Sequence, residues 1–120
     1  MYPEININTN NILENVEKVN KLCSDNNIKL SLVVKLLAKN YNFVKKLEST
    51  NVEIICDSRV QNLREYDDIK KEKWLIRLPM LSEVDDVVRY SDASLNTEIV
   101  TIKAIRIIQF LICSLDIIIN

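Results

Sequence analysis

The chain reads as an α/β protein built on a parallel sheet, and three observations predict it. Short apolar runs of strand length alternate with segments of helical period. The centres of those runs, near Leu32, Ile55, Ile76 and Ser94, are 23, 21 and 18 residues apart, the spacing of βα units. Polar residues gather at the C-terminal tips of the runs, where parallel α/β folds place their chemistry. Strands joined in this way imply right-handed βαβ crossovers. Four such units are half of a (β/α)8 barrel, which takes about 250 residues. A small open flavodoxin-like sheet, complete at this length, is the alternative.

The elements follow in order. Ile5 and Ile7 alternate with polar residues and suggest a short half-buried strand. Ile12, Val16, Val19 and Cys23 recur at helical spacing, with Thr9 or Asn10 as N-cap and Asn26-Asn27 as the stop. Leu30–Val34 reads as a buried strand and Asn40–Leu47 as a helix with Phe43, Val44 and Leu47 on one face. Val52–Cys56 is the next strand, followed by a helix through Val60, Leu63 and Tyr66. Trp74–Leu78 is a strand ended by Pro79. Ser82-Glu83-Val84-Asp85 resembles a capping box that opens a helix through Val87 and Val88. Ala93–Leu95 is a very short strand, and a long helical pattern starts near Thr97. In the tail from Ala104, Arg106, Gln109, Cys113 and Asp116 fall at helical spacing and leave a wide apolar face. That run is too short and too charged for a membrane span.

Composition narrows the function. With 48% hydrophobic and 28% charged residues, 120 residues suffice for one domain with a core. A net charge of -1 argues against a nucleic-acid surface. The chain has no His, which removes imidazole base chemistry and the commonest metal ligand. It has no Gly, which removes the glycine-rich phosphate loops and leaves positive-φ turns to Asn or Asp. Cys23, Cys56 and Cys113 are widely spaced, without metal or CxxC spacing, and read as reduced thiols packed as small hydrophobes. With no secretory signal at the N-terminus, a cytoplasmic location is the expectation.

The strand tips carry Lys35, Asp57-Ser58-Arg59, Arg77 before Pro79 and Met80, and Asn96. In a parallel barrel they ring one mouth. A lysine after a strand is more often solvent-facing than functional, and an arginine beside a proline often braces a loop. Arg77 interrupts an apolar strand, so a buried guanidinium there needs a partner, for which Asp57 is a candidate.

Several stretches together carry a family resemblance: Tyr2-Pro3-Glu4-Ile5, Val33-Val34-Lys35, Cys56-Asp57-Ser58-Arg59-Val60-Gln61-Asn62-Leu63, Ile76 to Asp85, and Ser94-Leu95-Asn96-Thr97-Glu98. In this ordered series the chain resembles the N-terminal TIM-barrel domain of the alanine racemase family, closest to its ornithine and related amino-acid racemases. The family uses pyridoxal phosphate. The resemblance implies that Lys35 is the Schiff-base lysine, with the cofactor as electron sink for a Cα carbanion. It places Asp57, Arg77 and Asn96 near the cofactor. It further implies a small amino-acid substrate, a basic one such as ornithine, and a homodimer whose partner subunit supplies the opposite-face tyrosine. After the lysine, relatives commonly carry Cys and Gly, where this chain has Leu36-Leu37-Ala38-Lys39-Asn40.

The resemblance covers residues 1–105 and fades after Ile105. Residues 106–120 are expected to be a divergent apolar helical tail, out of frame in a truncated racemase. Such a chain is expected to be inactive alone, because half the site is absent. Two other readings stand beside it: a non-catalytic pyridoxal-phosphate carrier, and a remnant with no ligand that folds only by self-association.

Overall fold

The computed structural model describes residues 2–37 and 40–112. Nine main elements alternate along it: α1 (Thr9–Asp25), β1 (Ser31–Val33), α2 (Tyr41–Lys46), β2 (Ile54–Asp57), α3 (Val60–Glu65), β3 (Glu72–Leu75), α4 (Val84–Tyr90), β4 (Ala93–Ser94) and α5 (Ile99–Ile112). Single 3-10 turns occupy Lys35–Leu37, Leu47–Ser49 and Leu81–Glu83.

The four strands form one open sheet in the order β1-β2-β3-β4, parallel throughout. Sequential order without a reversal is the arrangement of the first βα units of a barrel; a flavodoxin-like sheet reverses direction at a switch point. Right-handed crossovers in one direction place the helices on one face. The register lines up Leu32, Ile55 and Lys73 toward that helical layer, and Val33, Cys56, Trp74 and Ala93 toward the opposite, inner face.

Burial explains why these residues form these elements. Ile55 packs with Val34, Phe43, Val44, Leu47, Tyr66 and Ile69, and α1 adds Ile12 and Leu13 to that cluster. Leu75 packs with Val60, Leu63 and Val87, with Tyr90 and Ile105 against it. The short helices α2 and α3 are held by this burial, since six residues have little intrinsic helical stability.

Helix ends follow the side-chain chemistry. Asn8 Oδ1 accepts the Asn11 N–H, 3.1 Å, and caps α1, one residue before the two caps the sequence suggests. Asn40 does the same for α2 through the Phe43 N–H, 3.1 Å. Asn26 is the C-cap of α1, and Asn27 at φ 58 supplies the left-handed step that glycine usually provides.

Three sequence expectations change. Residues 2–8 form no strand, and Ile5 and Ile7 are exposed, because no neighbouring strand offers them a ladder. Strand β3 starts at Glu72 and ends at Leu75, since pairing with Ile54–Asp57 of β2 sets its limits rather than its own apolar run. At α4 the hydrogen bond that the box predicted for Ser82 runs instead from the Met80 N–H to Glu83 Oε2, 3.0 Å. Of the tail, Cys113 and Asp116 lie outside the described residues. Among the described residues no helix is long and apolar enough to cross a membrane.

Candidate active site at the C-terminal ends of the strands

Because all four strands run the same way, the sequence-predicted residues do come to one edge of the sheet. Neighbouring strands lie about 4.8 Å apart, so the row from the β1 end to the β4 end is roughly 15 Å wide. Lys35 and Asn96 stand at its two extremes, with Asp57 and Arg77 between.

Lys35 follows the last residue paired in the ladder, Val34, whose N–H donates to the Cys56 carbonyl at 2.9 Å. Strand alternation puts Ser31 and Val33 on the inner side; Val34 is buried, and Lys35 opens the 3-10 turn that follows. The Lys35 side chain is exposed and has no hydrogen-bond or ion-pair partner among the described residues. Nearby, Cys56 is buried on the same inner face. Burial pushes its thiol up from the ordinary value, against a hydrogen bond with Ser31.

Asp57 is fully buried and turns toward the helical layer. Its Oδ1 accepts the Arg59 N–H at 2.9 Å and Asn62 Nδ2 at 3.1 Å, which shapes the turn into α3. Its Oδ2 has no partner among the described residues. The arginine finds a different carboxylate from the one the sequence suggested. Arg77 Nη2 reaches both oxygens of Glu83, 2.8 and 2.9 Å, and Nε donates to the Ser58 carbonyl at 2.9 Å. Asp57 is already engaged by its own turn, while Glu83, only six residues on, is carried back by the Pro79 loop.

Glu83 ties this network together. It also accepts the Met80 N–H and, at 3.4 Å, the Gln61 amide. Burial pushes its carboxyl up, but the Met80, Gln61 and Arg77 donors outweigh that and hold it below the usual range. The result is a clamp between the β2–α3 and β3–α4 loops. Glu83 entered the sequence reading as part of a helix cap and of a matching stretch, and Gln61 within a matching stretch, neither with a role at the site. The one local signal for the clamp was an arginine and a glutamate flanking a proline turn.

Asn96 Nδ2 donates to the Ser94 carbonyl, 3.0 Å, and to Ser94 Oγ, 2.9 Å, while its Oδ1 is buried without a partner among the described residues. Asn96 also lines a cleft of about 390 Å³ at the mouth, with Leu78, Pro79, Met80, Leu81, Thr97, Glu98 and Thr101. Among the described residues, the edge thus offers a free primary amine at Lys35, a braced guanidinium at Arg77, and an apolar-walled cleft with hydroxyl, amide and carboxylate groups. Among the described residues no group of His, Cys, Asp and Glu is placed to hold a metal ion.

No protein-family model matches the chain, and no solved structure gives a significant match. Two curated proteins are similar to it. The ornithine racemase of Acetoanaerobium sticklandii is 45% identical over 106 residues, which is 88% of this chain and 30% of that protein. The lysine racemase of Thermotoga maritima is 31% identical over 94 residues, 77% of this chain and 27% of that protein. The chain therefore spans under a third of the length of these relatives. The resemblance holds to this extent: over most of its length the chain is similar to part of the ornithine and lysine racemases.

Proposed function

We propose that this chain carries the lysine-bearing part of a pyridoxal-phosphate-dependent racemase acting on a basic amino acid. The observation that carries the reading is Lys35, an exposed amine without a partner among the described residues, in the turn just past the C-terminal end of β1. A lysine that is free of ion pairs is available to attach to the aldehyde of the cofactor, and the chemistry of the site therefore fits the group. When bound, pyridoxal phosphate would supply the electron sink that makes an α-proton of an amino acid acidic.

The chain's own residues divide the remaining work. Lys35 holds the cofactor and carries a proton to and from one face of the substrate Cα. Arg77, with Nη1 outside its bonds to Glu83 and Ser58, and Asn96 present polar groups along the same edge. Asp57 acts from behind, by fixing the turn that bears Ser58 and Arg59. Both relatives are named for amino acids with a side-chain amine, which supports a basic substrate.

Titration with pyridoxal phosphate, borohydride trapping and peptide mapping test the reading. Saturable labelling at one position, Lys35, and its complete loss in Lys35→Ala are the expected result. Scattered, non-saturable labelling that the substitution leaves unchanged would overturn it. Racemisation of L-ornithine and L-lysine, followed by polarimetry, then tests the substrate.

A further inference from the structure

We propose that the cleft between the loops after β3 and β4 takes an alkylammonium group, and that Glu98 makes it the subsite for the side-chain amine of a basic amino acid. This assignment rests on the reading of Lys35 as the cofactor lysine and extends it to specificity. The stretch Ser94-Leu95-Asn96-Thr97-Glu98 carries part of the family resemblance, yet only Asn96 of it has a place at the site so far. Strands β3 and β4 are neighbours in the sheet, so both walls of the cleft, about 390 Å³ in volume, follow adjacent strands. One wall is the apolar loop 78–81, Leu-Pro-Met-Leu, and the other carries Asn96, Glu98 and Thr101.

The polar groups on that second wall can all accept a hydrogen bond. Asn96 Nδ2 donates to the Ser94 carbonyl and Oγ, 3.0 and 2.9 Å. A carbonyl only accepts, so the amide is fixed with Oδ1 away from Ser94, buried and without a partner among the described residues. Thr101 is 4% exposed, and among the described residues its hydroxyl has no hydrogen-bond partner. Glu98 is exposed, has no ion pair among the described residues, and is the one charged residue among those that line the cleft. Arg77, beside Leu78, is already neutralised by Glu83 at 2.8 Å. The N-terminus of α5 adds a partial charge of about +0.5, which the full charge of Glu98 outweighs. A carboxylate, an amide oxygen and a hydroxyl facing hydrocarbon call for a cation that donates, carried on an apolar stem. A primary ammonium on an alkyl chain is such a group, with N–H donors and no acceptor. An anion at the same helix end would meet Glu98, and a purely apolar guest would leave Asn96 Oδ1 unsatisfied. The reach agrees. At about 1.3 Å per bond, the Lys35 side chain and an extended ornithine side chain together span roughly 11 Å of the ~15 Å between the β1 and β4 ends, and the Glu98 side chain covers the rest.

Heteronuclear NMR of the whole chain, titrated with n-butylamine at neutral pH, tests this without the cofactor. Butan-1-ol and butyrate are the neutral and anionic controls. Saturable shifts of the amides in segments 78–81 and 96–101 are expected with the amine, at about fivefold higher affinity than with the alcohol, and none with butyrate. Glu98→Gln is expected to remove that preference and leave the alcohol titration unchanged. Because Glu98 is exposed, amides outside the two segments should keep their positions in the variant. The absence of saturable shifts in these segments, equal affinity for amine and alcohol, or a preference that survives Glu98→Gln would overturn the proposal. Borohydride trapping of pyridoxal phosphate separates the two readings. Labelling at Lys35 without a preference for the amine overturns the subsite alone. Amine preference without labelling at Lys35 overturns the reading of Lys35, and with it the assignment of the cleft to a substrate.

Discussion

The two ends of the sheet are built differently. At the N-terminal end, charged side chains stitch one loop to the next. Lys29 pairs with Glu53 at 2.7 Å, and Lys45 with Glu48 and Asp68, both at 3.1 Å. Glu48 also takes the Lys70 N–H, Glu17 takes both amides of Asn51, and Asp92 takes the Lys73 N–H. The Lys71 and Lys73 ammonium groups fill in backbone carbonyls of the neighbouring turns. Of the five ion pairs among the described residues, the C-terminal end holds one, Arg77–Glu83. It leaves Lys35 unpartnered and Leu36, Met80, Leu81 and Leu95 exposed. Both ends tie polar groups into the fold, but the C-terminal end leaves an amine, Lys35, without a partner among the described residues. In barrel proteins that division separates the stability face from the catalytic face.

Three substitutions sharpen the contrast, in descending order of expected effect. Lys73→Met removes a buried ammonium donor from the Ile69 and Lys71 carbonyls, 2.7 and 3.1 Å, while the Ile69 carbonyl keeps the Lys71 N–H at 2.8 Å. It should cost about 2–3 kcal/mol in urea unfolding. A neutral result would mean the N-terminal stitching is dispensable.

Glu83→Gln cuts the single ion pair of the mouth. Glu83 is 10% exposed, but Arg77 at 39% is partly screened, so the cost should be about 1–2 kcal/mol at neutral pH. The sign with pH follows from linkage. The folded carboxyl lies below its ordinary value of 4.5, so its contribution is complete above that value. It is lost as pH falls through the depressed folded value. Wild type and variant should therefore converge in acid; a gap that widens there would contradict the assignment.

Leu36→Gln replaces a side chain that is 91% exposed beside Lys35. It should shift stability by no more than ~0.5 kcal/mol. A larger loss would show that this part of the mouth is structural after all.

Much of this protein is legible in its sequence because the deciding signals are local. The period of Ile12, Val16 and Cys23, the short buried run before Lys35, and the stop at Asn26-Asn27 each involve residues within a turn or two of one another. The absence of glycine forces asparagine into the left-handed step at Asn27. The repeat of strand and helix, together with the handedness of the crossover, then settles a parallel sheet and gathers Lys35, Asp57, Arg77 and Asn96 on one edge.

Only the tertiary structure decided what those residues touch. Arg77 chose Glu83 over Asp57 because the Pro79 loop folds back, while Asp57 was already taken by Arg59 and Asn62. Ile5 and Ile7 alternate like a strand, yet no neighbour pairs with them. Lys73 looks like a surface lysine and is buried on two carbonyls. Local pattern reports which face a residue prefers. Partners are set by how distant segments arrive at the same place, and the energy that selects among them exists only after the chain has folded.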